Sequence, residues 1–365
     1  MFESAIEVLN IIENNGFKAY IVGGYVRDLY IGRKSKDIDI STNAKPMDLN
    51  KIFNNLTILE DYGAVKLSYK GYVYDITTFR KDTYYDDSNR KNIKIEYTDN
   101  IEEDILRRDF NINTLYMDKH GNIIDMLNAK NDIDNKIIKV NGNSLDKLKE
   151  DPLRILRAIK YATILNFNLD KKLLSAIKKY RKLLSNLSCF RIKEELTRIF
   201  MNSNCIYGFK LITSLKIDKQ LKIKGLNSVR WCSDVLGIWA QLDYSEDYKF
   251  SNLEKDTINK IRKVISSKKI DEYTVYKYGN YISSVCAEIL KIDKKYVNDL
   301  YNNLKIYEKK DINISANKIC EILNIEPSST IKDIMIDLEE KIVYNKLSND
   351  EESLEKYIKN KYGKE

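Results

Sequence analysis

Apolar Phe2, Ala5, Ile6, Leu9 and Ile12 recur at helical spacing with acidic residues between them, which predicts an opening helix. An apolar strand near 18–23 then runs into Gly23-Gly24, a cationic helical segment, and a second strand near 36–41. In that second strand Ile38 and Ile40 alternate with Asp37 and Asp39. AVKLSY at 64–69 and YVYDITTF at 72–79 read as two further strands, joined by a Lys70-Gly71 turn. Ile93, Ile95 and Tyr97 alternate once more, either extending the sheet or flanking a loop. From Ser144 onward apolar residues fall three and four apart, with no convincing strand and no repeat. Pro152 sits where a helix could begin. The pattern predicts an α+β chain, mixed α/β over roughly its first 140 residues and helical thereafter.

On a strand, side chains at i and i+2 share a face, so Asp37 and Asp39 project together while Ile38 and Ile40 turn to the core. Paired hard oxygen ligands beside a glycine turn suit Mg²⁺ and a nucleoside triphosphate, although a DxD alone also fits a solvated strand face. Gly23-Gly24 allows close backbone approach to phosphate, and Arg27, Arg33, Lys34 and Lys36 supply positive charge. Asp75 is placed either as a third carboxylate or as an ordinary edge residue. In the run 107–113, Arg107 and Arg108 are fork-shaped phosphate donors, and Asp109 and Asn113 are candidates for ribose hydroxyls. The competing reading is a helix-start Asp beside exposed arginines.

Asp151 and Arg154 lie three apart on a predicted helix, next to Glu150, which also fits a plain ion pair. Cytosine and adenine both present an amino donor beside a ring-nitrogen acceptor; guanine and uracil present the reverse pattern. A carboxylate accepting from the amino group and a guanidinium donating to the ring nitrogen would select C and A together, with no template.

Composition changes the picture only modestly. The formal charge of +8, from 62 basic and 54 acidic residues, is compatible with an RNA partner without establishing one. Five scattered cysteines without a CxxC pair fit reduced thiols in a cytoplasmic protein, not a disulfide framework or zinc site. The single histidine, His120, excludes a site built on several histidines. The start of the chain lacks the basic-then-apolar plan of a secretory signal, and no run approaches the ~18 apolar residues of a membrane span.

Six segments, GGYVRD, DIDIST, YDITTFR, RRDFNIN, EDPLRILRA and RIKEEL, follow one another across 20–200. In that order they resemble the class II tRNA nucleotidyltransferases, the CCA-adding enzymes and bacterial poly(A) polymerases. The resemblance implies a polymerase-β-like head over 1–138, then helical neck (139–202), body (203–272) and tail (273–365). The residues themselves suggest a two-metal Mg²⁺ site, with Asp75 as the candidate third catalytic acid; the resemblance implies that Asp37 and Asp39 are the metal ligands. It makes Gly23, Gly24 and Arg27 triphosphate contacts, and Arg108, Asp109 and Asn113 contacts to sugar and phosphates. Glu150, Asp151 and Arg154 become the base-reading set, Arg157 joins the nucleotide contacts, and Arg191 with Glu195 braces the helix. The segment between Arg80 and Arg107 corresponds to the family's flexible loop; Arg90-Lys91-Asn92 stands where the family tends to place proline after paired arginines.

The expected substrates are CTP, ATP and tRNA, with no membrane or protein partner. Tyrosine- and lysine-rich stretches at 273–281 and 291–310 are candidates for the tRNA backbone, although buried tyrosines with solvated lysines explain most such stretches. The rival readings are a poly(A) polymerase, a CC-only or A-only enzyme, and an RNA-binding protein with a disused head.

Overall fold

The computed structural model describes all residues except 36, 60–62, 85–92 and 364–365, so Lys36 and the Arg90-Lys91-Asn92 segment lie outside the described residues. The chain divides into two compact units, Met1–Asn227 and Ser228–Glu365.

The first unit opens on α1 (Phe2–Asn14), whose Ala5, Val8, Leu9 and Ile12 are buried at the spacing the sequence predicts. Next come β1 (Ala19–Val22), α2 (Gly24–Tyr30), β2 (Asp39–Thr42), α3 (Pro46–Ile52), β3 (Leu56–Leu59), β4 (Ala64–Tyr69) and β5 (Tyr72–Thr78). The chain continues through β6 (Arg80–Tyr84), β7 (Ile93–Tyr97), α4 (Ile101–Leu106), β8 (Tyr116–Met117) and β9 (Ile123–Ile124). Seven strands form one mixed sheet in the order β3-β4-β5-β2-β1-β8-β9.

The register decides what the sheet can present. Val22 pairs with Asp39 and Tyr116, and Asp39 pairs with Asp75 of the parallel neighbour β5. Paired residues share a face, so one row across the sheet carries both carboxylates. On the same face Val22, Phe79, Ile105 and Tyr116 form a buried cluster that packs β1, β8 and α4 together.

One expectation changes, one open choice is decided, and three strands go unseen in the sequence. Strand β2 begins at Asp39 instead of 36, because its partner β1 ends at Val22 where Gly23 turns the chain; Asp37 therefore precedes the paired strand. Of the two readings of 93–97 the second holds: the segment pairs with β6 in a hairpin separate from the main sheet and flanks the loop. Strand β3 and the two-residue strands β8 and β9 carry too little alternation to be seen in the sequence.

After α5 (Ala129–Asp134), helices dominate: α6 (Ser144–Glu150), α7 (Arg154–Leu165), α8 (Lys171–Tyr180), α9 (Cys189–Phe200), α10 (Cys205–Ser214) and α11 (Asp218–Leu221). Two-residue strands at Asn168–Leu169, Ile223–Lys224 and Asp243–Tyr244 are exceptions to the strand-free expectation. Pro152 does not open a helix as predicted; it lies in the turn between α6 and α7. A residue before proline is pushed out of helical geometry, and Asp151 accordingly caps α6 in extended backbone (φ −143°, ψ 97°).

In the second unit, α12 (Val235–Ala240) carries buried Trp239 against Tyr244, Tyr248 and Phe250 at 5.1–5.4 Å. Further helices are α13 (Asn252–Ser267), α14 (Glu272–Leu290), α15 (Lys294–Asn302), α16 (Ala316–Leu323), α17 (Ser329–Val343) and α18 (Glu351–Tyr362). No helix among the described residues is long and apolar enough to cross a membrane.

Candidate active site

The turn after β1 sets the site's first edge. Gly23 has φ +72°, a left-handed conformation that L side chains rarely adopt. A Cβ there would also lie 3.6 Å from Nη1 of Arg108. The chain needs glycine here for its backbone angle; a Cβ would be only in ordinary contact with that arginine.

Asp39, beside this turn in the sheet register, is exposed to solvent, yet protein packs around its carboxyl. Burial, then the neighbouring carboxylates of Asp75 and Asp37, push its pKa up against the opposing pull of Arg108. Neither Asp37 nor Asp39 makes a side-chain hydrogen bond or ion pair among the described residues. Acids gathered without a bound counter-charge are a fitting environment for a hard divalent cation. Among the described residues, no three His, Cys, Asp or Glu side chains are grouped so as to hold a metal ion, Asp37, Asp39 and Asp75 included. Asp75 instead faces Lys66 at 3.8 Å across the β4–β5 pair.

A cavity of about 210 Å³ opens from Asp39 and the Gly23-Gly24 turn. Its lining includes five guanidinium groups, Arg80, Arg107, Arg108, Arg154 and Arg157, with Asp82, Asp109, Asn113 and Tyr161. Each arginine has an acidic partner. Arg80 pairs with Asp82 at 2.9 Å, Arg157 with Asp109 at 2.7 Å, and Arg154 with Glu150 at 2.8 Å. Arg107 and Arg108 share Asp104, at 2.7 and 3.2 Å. Burial opposes ionisation of Asp109, but Arg157, Arg154 and Lys160 overcome it and hold the carboxyl below its ordinary range. Buried forks held in fixed orientation by carboxylates make a built receptor for a compact polyanion.

The structure brings nine of the sequence's candidates into this lining: Gly23, Gly24, Asp39, Arg107, Arg108, Asp109, Asn113, Arg154 and Arg157. Others sit behind it. Buried Arg27 donates from Nη1 to Asn113 Oδ1 at 2.6 Å and pairs with Asp28 at 2.8 Å. In this structure Arg27 orients Asn113 from behind the lining. Arg33 donates to the carbonyl of Ile164 at 2.9 Å.

The expected shared helix face of Asp151 and Arg154 is absent, since Pro152 separates them into a cap and a new helix. Asp151 Oδ1 accepts from the N–H of Leu153 at 3.1 Å and lies 3.5 Å from Arg191. Glu195 pairs with Lys160 of α7 at 2.8 Å. Arg191 and Glu195 thus join α9 to the α6–α7 turn and to α7 through separate ion pairs. Residues missed in the sequence are Asp82, Asp104, Tyr116 and Tyr161. The first two look like ordinary loop and helix acids, and only their arginine neighbours in space give them meaning.

Comparisons with known proteins agree with this architecture. Family models match residues 19–139 ("Poly A polymerase head domain"), 166–223 ("Probable RNA and SrmB- binding site of polymerase A") and 243–358 ("tRNA nucleotidyltransferase domain 2 putative"). The chain is 30% identical to the CCA-adding enzyme of Staphylococcus haemolyticus, over 98% of both chains. It is also 30% identical to that of Ligilactobacillus salivarius, over 97% of this chain and 95% of the relative. In fold it is similar to the Bacillus stearothermophilus CCA-adding enzyme solved with CTP, with a TM-score of 0.88, 22% identity, and coverage of 98% and 97%. The full-length match at this identity, on a sheet and cavity of this kind, shows that the chain belongs to the CCA-adding enzymes, a family of tRNA nucleotidyltransferases.

Proposed function

We propose that the protein adds C, C and A to the 3′ end of tRNA from CTP and ATP, without a template. One observation carries the reading: a small cavity lined by five carboxylate-held guanidinium groups opens beside an unpaired acid at a glycine turn. Arg107 and Arg108 hold the triphosphate, and the Gly23-Gly24 backbone lies against it. Asp109 and Asn113 meet the ribose. Arg154, on the lining, donates to the ring nitrogen of the base, and Asp151 in the adjoining turn accepts from its amino group, with Glu150 steadying the arginine. The tRNA 3′-hydroxyl attacks the α-phosphorus, and pyrophosphate leaves against the arginines.

Asp37 and Asp39 would hold Mg²⁺, with Asp75 as third acid; bound there, the metal lowers the pKa of the attacking hydroxyl and offsets phosphate charge. The full set of site roles, and the division into head, neck, body and tail, are part of this proposal, as is a cytoplasmic location.

A second surface belongs to the reading. On α8 and the turn after it, Lys171, Lys172, Lys178, Lys179 and Lys182 are exposed. None of them has a side-chain partner acid among the described residues, and Lys171, Lys172 and Lys179 line an open groove of about 730 Å³. We assign this face to the tRNA backbone, together with the tyrosine- and lysine-rich helices of the second unit.

The test is product length. A tRNA lacking its CCA end, incubated with the protein and CTP plus ATP, should gain three nucleotides, and two with CTP alone. A long adenylate tail from ATP alone would favour the poly(A) polymerase reading, and no extension at all would remove the proposal.

A further inference from the structure

Asp104 does not line the cavity, yet the parts that build the cavity meet on it. Its side chain is fully buried. Oδ1 accepts from Nε of Arg107 at 2.7 Å and from the backbone N–H of Arg80 at 3.2 Å, and Nη2 of Arg107 lies 2.7 Å away as an ion pair. Oδ2 accepts from Nη2 of Arg108 at 3.2 Å, from the Ser41 hydroxyl at 3.1 Å, and from the Tyr116 hydroxyl. The Tyr116 oxygen in turn accepts from Nε of Arg108 at 2.9 Å, and the Arg108 guanidinium lies 4.8 Å from the tyrosine ring centre.

Two guanidinium groups on successive residues repel, and nothing in the sequence alone prevents them from splaying into solvent. A buried carboxylate that accepts two hydrogen bonds on one oxygen and three on the other prevents it. Burial alone would raise the Asp104 carboxyl, but Arg108 and Arg107 hold it below its ordinary range, so it is an anion at neutral pH. Ser41 lies two residues beyond Asp39 on β2, and Arg80 is the first residue of β6. The arginines are therefore tied both to the strand of the metal-binding candidates and to the base of the long loop.

We propose that Asp104 is a positioning residue for the nucleotide's triphosphate, holding Arg107 and Arg108 as one rigid clamp fixed to β2 and β6. This rests on the reading that the cavity takes a nucleoside triphosphate. A clamp ordered in advance loses no side-chain freedom when polyphosphate arrives, so removing its anchor weakens polyphosphate binding specifically. The base-reading turn and the RNA surface do not touch Asp104 and keep their properties.

The experiment uses the full-length protein and two substitutions, Asp104→Asn, which keeps shape and removes charge, and Tyr116→Phe, which removes one donor. The readouts are the Kd for inorganic pyrophosphate, KM and kcat for CTP on tRNA lacking its CCA end, RNA Kd, and thermal melting. Asp104→Asn should raise pyrophosphate Kd and CTP KM by about tenfold. Its kcat should stay within about threefold and its RNA Kd within about twofold of the unsubstituted protein. Tyr116→Phe should shift the first two values in the same direction by at least about threefold.

A folded Asp104→Asn protein with KM and pyrophosphate Kd unchanged overturns the proposal, including the case where only kcat falls, which is what a merely structural role gives. If Asp104→Asn does not fold, Tyr116→Phe decides by the same criterion. Failure of the unsubstituted protein to bind pyrophosphate or CTP would instead sink the nucleotide-site reading, and the inference with it.

Discussion

The first unit carries two cation-rich regions that solve different problems. In the cavity, Arg80, Arg107, Arg108, Arg154 and Arg157 are each tied to a carboxylate at 2.7–3.2 Å. On α8, Lys171, Lys172, Lys178 and Lys179 stand exposed with no acid partner among the described residues. A buried guanidinium must be paired, and the pairing fixes its direction. An exposed ammonium keeps its rotamer freedom and its loose counterions, which a nucleic-acid phosphate displaces. On the proposed function, the cavity recognises the shape of a polyanion and the helix only charge density. Asp39 departs from both patterns. It lines the cavity without an arginine partner, while Asp82 and Asp109 have theirs.

That exception gives the largest expected effect. Asp39→Asn should lower nucleotide incorporation by roughly 10³-fold or more, the scale seen when one charge-stabilising group is lost. Its RNA affinity should not change. The fold raises the pKa of Asp39, so the folded state favours the protonated acid, and the penalty of ionising it is fully present above the folded value and vanishes below the unfolded one. At neutral pH the metal-free Asn protein should therefore melt no lower than the parent. A drop in melting temperature alongside lost activity would mean that Asp39 is structural.

Next in size is Arg108→Lys, a substitution that preserves charge and destroys the fork. With Asp104 and the Tyr116 hydroxyl both losing geometry, kcat/KM for CTP should fall by about 100-fold, read by steady-state incorporation. A loss under threefold would erase the distinction between the cavity and α8, because charge alone would then suffice.

The parts of this site that rest on local rules are legible in the sequence. Alternation around Ile38 and Ile40 marks the strand that carries Asp39, although Asp37 precedes its paired part, and paired glycines after an apolar run announce the turn. Opening helix α1, strand β4 and the helical character beyond Ser144 are legible for the same reason: their periods are local. What stays hidden depends on groups distant along the chain. Asp104 is 63 residues from Ser41, and no pattern in IEEDIL marks one acid as the hub of two arginines. The shared face expected of Asp151 and Arg154 fails for another reason, since Pro152 already forbids helical geometry at Asp151 by a local rule. Lys66 opposite Asp75 likewise follows only from register, which strand prediction does not supply.

On α8 the effects should be smaller and of a different character. Replacing Lys171, Lys172, Lys178 and Lys179 with Ala should weaken tRNA binding by about 10- to 100-fold at low salt, with the CTP KM under saturating tRNA unchanged. The slope of log K against log salt should become shallower by up to roughly 0.9 for each phosphate that is no longer neutralised. Binding measured by filter retention across a potassium chloride series would show both. An unchanged slope would place the RNA elsewhere on the chain.

The smallest effect is the one that separates the two regions most sharply. Converting the same four α8 lysines to arginine keeps every charge and changes every geometry. If α8 contributes only charge density, tRNA affinity and its salt slope should stay within about twofold of the parent, because no fork has to meet a particular acceptor. The cavity gives the opposite expectation for the reverse exchange at Arg108, and the two measurements together form a control for each other. Should the four arginines instead change affinity tenfold, the α8 face must hold its RNA in a defined geometry. The groove beside it, lined by Asn143, Ser144 and Ser175 as well as lysines, would then be a fitted site and not an electrostatic surface.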